Sequence, residues 1–299
     1  MTEQQGEHVR IERYCRLAGV SRAGYYRHWQ ASRPRQEETA LRDALQKLSL
    51  VYRREGYRPI TARLRQQGWV VNHKRVERLR RADNLLCLRK PAFRPATTDS
   101  RHRFMIYPNL AARVAPTTVN QLWVSDITYV RLSEEFIYLA VVLDAFSRKV
   151  IGWALADHLR AELAVEALEM ALSQRDVLPA GLIHHSDRGV QYACGDYIGR
   201  LRQAGIAPSM SRAGCPWDNA MAESFMATLK REEVDGRAYR DLLDARGQIG
   251  TFLEQVYNRQ RLHSALGYRP PDAFEGELPR LACLLHATSK PVVVDRVSA

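Results

Sequence analysis

The sequence predicts an α/β protein in which a mixed five-stranded sheet is flanked by helices and preceded by small all-α modules. Three observations lead there. From Gln121 onward the apolar pattern runs strand, strand, strand, helix, strand, helix, strand, helix, the order of a mixed sheet with helices on its faces. Ahead of residue 89, apolar residues recur at helical spacing in short runs broken by glycine turns. Charge is segregated along the chain. Residues 1–118 hold 25 Lys and Arg against 10 Asp and Glu, a balance of +15, whereas residues 119–299 hold 20 against 23, a balance of −3.

The elements follow in order. In residues 1–35, Ile11, Tyr14 and Leu17, then Gly19-Val20-Ser21, then Tyr25, Tyr26 and Trp29 read as helix, tight turn, helix, with Ser21 as N-cap of the second. Residues 36–88 repeat the theme. Leu41, Leu45, Leu48 and Val51 make a helical stripe, Tyr57–Arg65 leads to a break at Gly68, and Asn72 caps a short helix with Val76 and Leu79 inward. That last helix is basic around its other faces. Two short helices about a glycine turn, the second basic at its start, match helix-turn-helix geometry, so His73, Lys74, Arg75, Arg78 and Arg81 are candidate DNA contacts. Helical hairpins that bind nothing are common, and the charge segregation is what favours a phosphate-binding role, because clustered cations gain affinity by counterion release. Residues 89–118, with several Pro and Thr and no sustained period, read as a linker.

Residues 119–280 form the predicted core, and 281–299 a tail. Leu122–Leu132, Phe136–Asp144 and Lys149–Ala156 are three strands whose short connections favour an antiparallel meander. A helix over Ala161–Gln174 follows, then a short buried strand at 181–186, a helix over Tyr192–Ala204, a strand at Ala207–Ser211, a helix over Pro216–Glu232, a helix from about Arg237 to Tyr257, and an irregular tail.

Composition narrows the class. With 299 residues and 45% hydrophobic content, the chain can bury a sizeable core plus smaller modules. No run approaches the ~20 apolar residues of a membrane helix, and the polar start lacks the apolar core of a secretory signal, so a cytoplasmic, nucleoid-associated protein with no membrane partner is expected. Five cysteines, Cys15, Cys87, Cys194, Cys215 and Cys283, stand far apart without Cys-x-x-Cys or a nearby His pair; they are expected to be reduced, mostly buried thiols rather than zinc ligands.

Three carboxylates stand out. Asp126 interrupts the apolar run of the first strand, where burying a charge without a partner is costly. Asp187 ends the fourth strand, where open sheets tend to carry ligand sites, although an Asp two residues before a Gly is also a common turn former. Glu223 shares a helix face with Lys230, seven positions on, and the ordinary alternative there is a solvated pair. Gathered together, such carboxylates can hold two divalent cations about 3.5–4 Å apart and serve phosphoryl transfer. Asp144, at the end of the second strand, is expected to cap the turn to Ser147-Arg148, with support behind the site as its alternative. His184 and His185 resemble metal ligands in isolation, but magnesium prefers oxygen, and they read as packing or DNA-facing groups.

Several stretches carry a resemblance: Asn120–Tyr129, Val142–Trp153, His184–Tyr192, Ser209–Arg212 and Trp217–Phe225, with 35 residues between Asp187 and Glu223. They are similar to the catalytic core of the DDE transposases and retroviral integrases, and most closely resemble the second-frame transposases of the insertion-sequence three family. Gly56–Thr61 and Val71–Val76 resemble that family's helix-turn-helix, and Tyr257–Pro271 its closing segment, so the likeness covers roughly residues 10–280.

The resemblance implies an RNase H-like fold and metal-dependent cleavage and strand transfer at the ends of an insertion sequence. Asp126, Asp187 and Glu223 would ligate two Mg²⁺ ions, for which Mn²⁺ could substitute. It implies terminal inverted repeats and target DNA as partners, with Arg188 and Lys230 as further DNA contacts, a homodimer or higher assembly on DNA, and an upstream-frame helix-turn-helix protein as a further partner. The zinc-binding His/Cys module of retroviral integrases is absent from the sequence, so that likeness stops at the core. A nuclease without strand transfer and a non-catalytic DNA-binding regulator are the competing readings; retention of all three carboxylates argues against the second.

Overall fold

The computed structural model describes residues 11–25, 36–85, 87, 103–132, 135–175, 178–213 and 215–278. The chain divides into two compact units, Met1–Cys87 and Leu88–Ala299.

In the first unit, residues 11–17 (α1) and 22–25 (α2) are helical, and the Ser21 hydroxyl accepts from the Gly24 amide at 3.0 Å, the predicted N-cap. Gly19 takes φ +64 in the turn, a conformation that favours glycine. Tyr26 and Trp29 lie outside the described residues. The helix read from Ile11, Tyr14 and Leu17 is present, with Tyr14 and Leu17 exposed and Cys15 buried. Helices α3 (Gln36–Val51), α4 (Tyr57–Gln66) and α5 (His73–Ala82) pack around Leu41, Leu45, Ile60, Leu64, Val76 and Leu79. Asn72 caps α5, its side chain accepting from the Lys74 amide at 2.9 Å. Val51, at the end of the α3 stripe, is exposed rather than buried.

Two arginines in this small core serve the fold. Buried Arg63 grips the Glu55 carboxylate with two hydrogen bonds of 2.9 and 2.6 Å and lies 3.5 Å from the Tyr52 ring centre. Buried Arg80 donates to the carbonyls of Leu85 and Glu55 at 2.8 and 3.0 Å. Both cations are thus spent internally, and the positive surface is smaller than the bare count implies.

In the second unit, β1 (Leu122–Arg131), β2 (Phe136–Asp144), β3 (Val150–Ala156), β4 (Ile183–Ser186) and β5 (Ala207–Met210) form one sheet in the order β3-β2-β1-β4-β5. The first three strands are an antiparallel meander, while β4 and β5 run parallel to β1. This is the mixed, RNase H-like sheet that the sequence implied. Both faces are covered. Trp123, Ile127, Ala140 and Val142 meet α6 (Ala161–Ser173), α7 (Val190–Ala193) and α8 (Gly195–Gln203) on one side. Val124, Val130, Leu139 and Val141 meet α9 (Ala220–Leu229) and α10 (Leu242–Thr251) on the other. Burial on both faces explains why β1 and β2 read as nearly continuous apolar runs.

Close approach explains one glycine. A Cβ at Gly152 on β3 would stand 2.1 Å from the carbonyl oxygen of Ala167, so the backbone of α6 lies directly on this strand.

Several boundaries shift. Asp241 caps α10, accepting from the Asp244 amide at 2.8 Å, so that helix starts at Leu242 rather than near Arg237. Helices α9 and α10 run on as π-helical turns, Lys230–Val234 and Phe252–Tyr257. The stretch expected as an irregular tail is helical at residues 271–278. It is anchored by Arg175 to Glu275 at 3.0 and 2.7 Å and by Lys149 to Asp272 at 2.9 Å. The side chain of Asn258 bonds both backbone groups of Val150 on the edge strand β3, accepting at 3.0 Å and donating at 2.9 Å. Cysteines are less enclosed than expected: Cys87, Cys194 and Cys215 are half-buried, these and buried Cys15 form no disulfide among the described residues, and Cys283 lies outside them.

Candidate active site

Strand register sets the first two carboxylates side by side. In the parallel pairing of β1 with β4, Leu122 faces Ile183, Trp123 faces His184 and Val124 faces His185. Continued by two positions, the same register puts Asp187, just past the end of β4, next to Asp126, with neighbouring strands about 4.8 Å apart. Alternation along β1 puts Asp126 on the face of Val124 and Val130, the face that α9 covers through Ala222, Phe225 and Leu229. Helix α9 brings Glu223 to this side of the sheet.

The three charges act on one another. Asp126 is half-buried, and its carboxyl is pushed from the usual 3.8 up to about 7, chiefly by burial and next by the negative charge of Asp187, with Glu223 adding to the rise. Its hydrogen bond from the Ile127 amide, 2.9 Å, and the Lys230 ammonium oppose the rise. Asp187 accepts from the Gly189 amide at 2.9 Å, the local Asp-turn bond, so its turn-forming and site-facing readings coexist. Glu223 is exposed. Among the described residues, no three His, Cys, Asp or Glu side chains stand in a group ready to hold a metal ion, so ligation requires these three to draw closer than they stand.

The loop ahead of α9 ties the site together. At one end, the Arg188 guanidinium donates to the Ser211 carbonyl at 2.6 Å, and the Ser211 amide donates to the Ser186 carbonyl at 2.9 Å. At the other end, the Asn219 amide group donates to the carbonyl of Ser125, the residue before Asp126, at 3.0 Å. Between them, Arg212 holds Asp218 through three bonds of 2.8, 3.0 and 3.0 Å, which keeps the Asp218 carboxyl well below the usual carboxylate range. Asn219 was not singled out by its residue type. Its position four residues before Glu223, one helical turn away, was the available signal.

The remaining candidates separate. His184 is buried with Nε2 2.9 Å from the Tyr197 hydroxyl, and burial pushes it down to about 3. His185 is buried between the hydroxyls of Ser209 and Ser211, at 2.8 and 3.1 Å. Both are packing groups, and the DNA-facing alternative falls because neither reaches the surface. Asp144 caps its turn as expected, accepting from Phe146 and Ser147 amides at 2.9 and 3.0 Å and from the Asn120 amide at 2.6 Å. Lys230 stands 4.1 Å from the Tyr129 ring centre, beside the site. In the first unit, Lys74, Arg75, Arg78 and Arg81 are exposed along α5, and His73 stacks on Tyr57 with ring centres 6.1 Å apart. Arg81 pairs with Glu77 at 2.8 Å and Arg75 stands 4.0 Å from Glu38, whereas the Lys74 and Arg78 side chains have no ion-pair partner among the described residues.

Residues 116–216 and 204–271 match two families described as Integrase core domain, and residues 36–93 match an HTH-like domain. A transposase of Escherichia coli K12, InsF of insertion sequence IS3A, is 35% identical over 273 residues, 89% of this chain and 94% of the relative. The chain belongs to the IS3 family of transposases. The 31 kDa protein of insertion element IS600 from Shigella sonnei is a further relative of this IS3-family chain, 41% identical over 90% of the chain and 99% of that protein. Among solved structures, the HTLV-2 integrase catalytic core domain in complex with magnesium covers 54% of the chain and 99% of its own length at 14% identity and a TM-score of 0.42. This IS3-family chain matches an integrase core behind an HTH-like module, and its described residues hold no helix long and apolar enough to cross a membrane.

Proposed function

We propose that the protein cleaves and joins DNA strands at the ends of an insertion sequence, with Asp126, Asp187 and Glu223 as its catalytic carboxylates. One observation carries the reading: in a member of a transposase family, strand register and a covering helix bring these three acids near enough for Asp187 and Glu223 to raise the Asp126 carboxyl together with its burial.

A divalent cation fits the donor set. All three groups offer oxygen, which suits Mg²⁺ and, as a substitute, Mn²⁺. Their mutual repulsion is relieved by positive charge, and the buried Asn219 carbonyl oxygen, with no hydrogen-bond partner among the described residues, gives a hydrated cation a further acceptor. Asp126, Asp187 and Glu223 would hold two ions, which supply nucleophile activation and leaving-group stabilisation in phosphoryl transfer. The chain's own residues do the positioning: β1 and β4 fix two acids, the Asn219 tie fixes the start of α9, and Lys230 adds a cation beside them. Exposed Lys74 and Arg78, with His73, Arg75, Arg81 and Arg188, supply phosphate contacts. Inverted-repeat ends and target DNA are the substrates, bringing two ends together calls for at least a dimer on DNA, and an upstream-frame protein would add end recognition.

The test is incubation of the purified chain with Mg²⁺ and DNA from the flanks of its own gene, followed by mapping of nicks and joints. Asp126→Asn, Asp187→Asn and Glu223→Gln should each abolish both products while DNA binding persists. Near-normal Mg²⁺-dependent cleavage by any of the three removes that residue from the site. Cleavage without joining of pre-cut ends would leave a nuclease.

A further inference from the structure

We infer that Trp217 is a stacking platform for an unpaired nucleobase at the DNA end, a role that rests on the DNA-processing reading above. Its indole is 85% exposed, although a side chain of this size is normally at least partly covered. The strand-to-helix loop is tied at Ser211 by Arg188, the neighbour of Asp187. It is tied at Asn219 to Ser125, the neighbour of Asp126, and the Arg212–Asp218 pair is closed across it. Trp217 sits on the 3-10 turn Pro216–Asn219 inside this bracket, six residues before Glu223. The loop therefore carries a large exposed aromatic face on the turn that leads into the helix of Glu223.

The chemistry of the surroundings selects the occupant. Arg212, largely exposed although its charge is paired with Asp218, and Arg188, which donates to the Ser211 carbonyl, lie on the same loop closure, so a ligand arriving there meets guanidinium edges beside an aromatic face, the combination that single-stranded nucleic acid uses. A base inside a duplex has both faces covered by its neighbours, whereas an unpaired base next to a cut site can turn a whole face to an indole. Stacking of that base would hold the adjoining phosphate at the carboxylates and favour substrates whose end is already open.

The experiment uses the full chain, without divalent cation, and short duplexes from the ends of its own element. They carry either a blunt terminus or three unpaired terminal nucleotides, one of them 2-aminopurine. Wild type should prefer the tailed duplex about tenfold and quench the 2-aminopurine emission, as one stacked base contributes on that scale. Trp217→Ala should lose both the preference and the quenching while binding blunt duplex as wild type does, and Trp217→Tyr should retain most of both. A well-folded Trp217→Ala protein with undiminished quenching, or a wild type that quenches nothing, overturns the inference. So does a Trp217→Ala protein whose only change is a lower oligomeric state, which would mark the indole as a contact between protein copies. Because no metal is present, these outcomes are separate from the cleavage assay: loss of stacking alone leaves the proposed reaction standing, and absence of cleavage alone leaves the platform standing.

Discussion

Replacing Asp126 with Asn should stabilise the metal-free protein, and by an amount that depends on pH. The folded protein raises this carboxyl from 3.8 to about 7, so between those values the folded state holds a proton that the unfolded chain releases, and stability falls as pH rises across the window. Above pH 7 the cost levels off. At 1.36 kcal/mol per pH unit the ceiling is about 4 kcal/mol, and with the side chain only half-buried about 2 kcal/mol is the expected gain. Asn keeps the shape and can still accept from the Ile127 amide. Urea unfolding of both proteins at pH 4 and pH 8, with chelator present, is the assay: the curves should nearly coincide at pH 4 and separate by about 2 kcal/mol at pH 8. Millimolar Mg²⁺ should then stabilise the parent at pH 8 and leave the Asn variant almost unmoved. A variant less stable than its parent at pH 8, or a gap independent of pH, would refute the electrostatic account of the site.

Three further outcomes follow from other parts of the chain. Gly152→Ala drives a methyl group to 2.1 Å from the Ala167 carbonyl and should cost about 3 kcal/mol or leave the protein insoluble, as thermal unfolding or soluble yield would show. In the first unit, Arg63→Met strands the largely enclosed Glu55 carboxylate and should cost about 3 kcal/mol, whereas adding Glu55→Gln should restore much of the loss in a denaturation cycle. Neutralising Lys74 and Arg78 should flatten the salt dependence of DNA binding by about one power of salt per lost contact, while Arg81→Ala, whose charge already pairs with Glu77, should change it less; anisotropy titrations across salt concentrations separate the two.

Much of the architecture was legible because both faces of the sheet are buried. Largely apolar runs over Leu122–Arg131 and Phe136–Asp144 are best satisfied between two layers, and the short links between the first three strands leave an antiparallel meander as the simple path. What pattern reading missed was set by partners distant in sequence. The basic residues Arg63 and Arg80 look like surface charge until Glu55 and the neighbouring carbonyls enclose them. His184 and His185 look like ligands until Tyr197 and two serines occupy their ring nitrogens. The helix expected near Arg237 begins at Leu242 because Asp241 supplies the cap. Asp126 and Asp187 were visible as charges out of place at a strand centre and a strand end. The bracket from Ser211 to Asn219 was not, since its closing bonds span 23 and 94 positions.

The Asn258 clasp on Val150 bears on how this protein avoids sticking to itself. Strand β3 lies at the rim of the sheet, where bare amide and carbonyl groups invite a foreign strand to add on. One carboxamide borrowed from the far end of the core occupies both groups of Val150 at once, so a truncation ahead of residue 258 would uncap the rim as well as shorten the chain. Light scattering on such a shortened protein should report clumping well before its sheet melts.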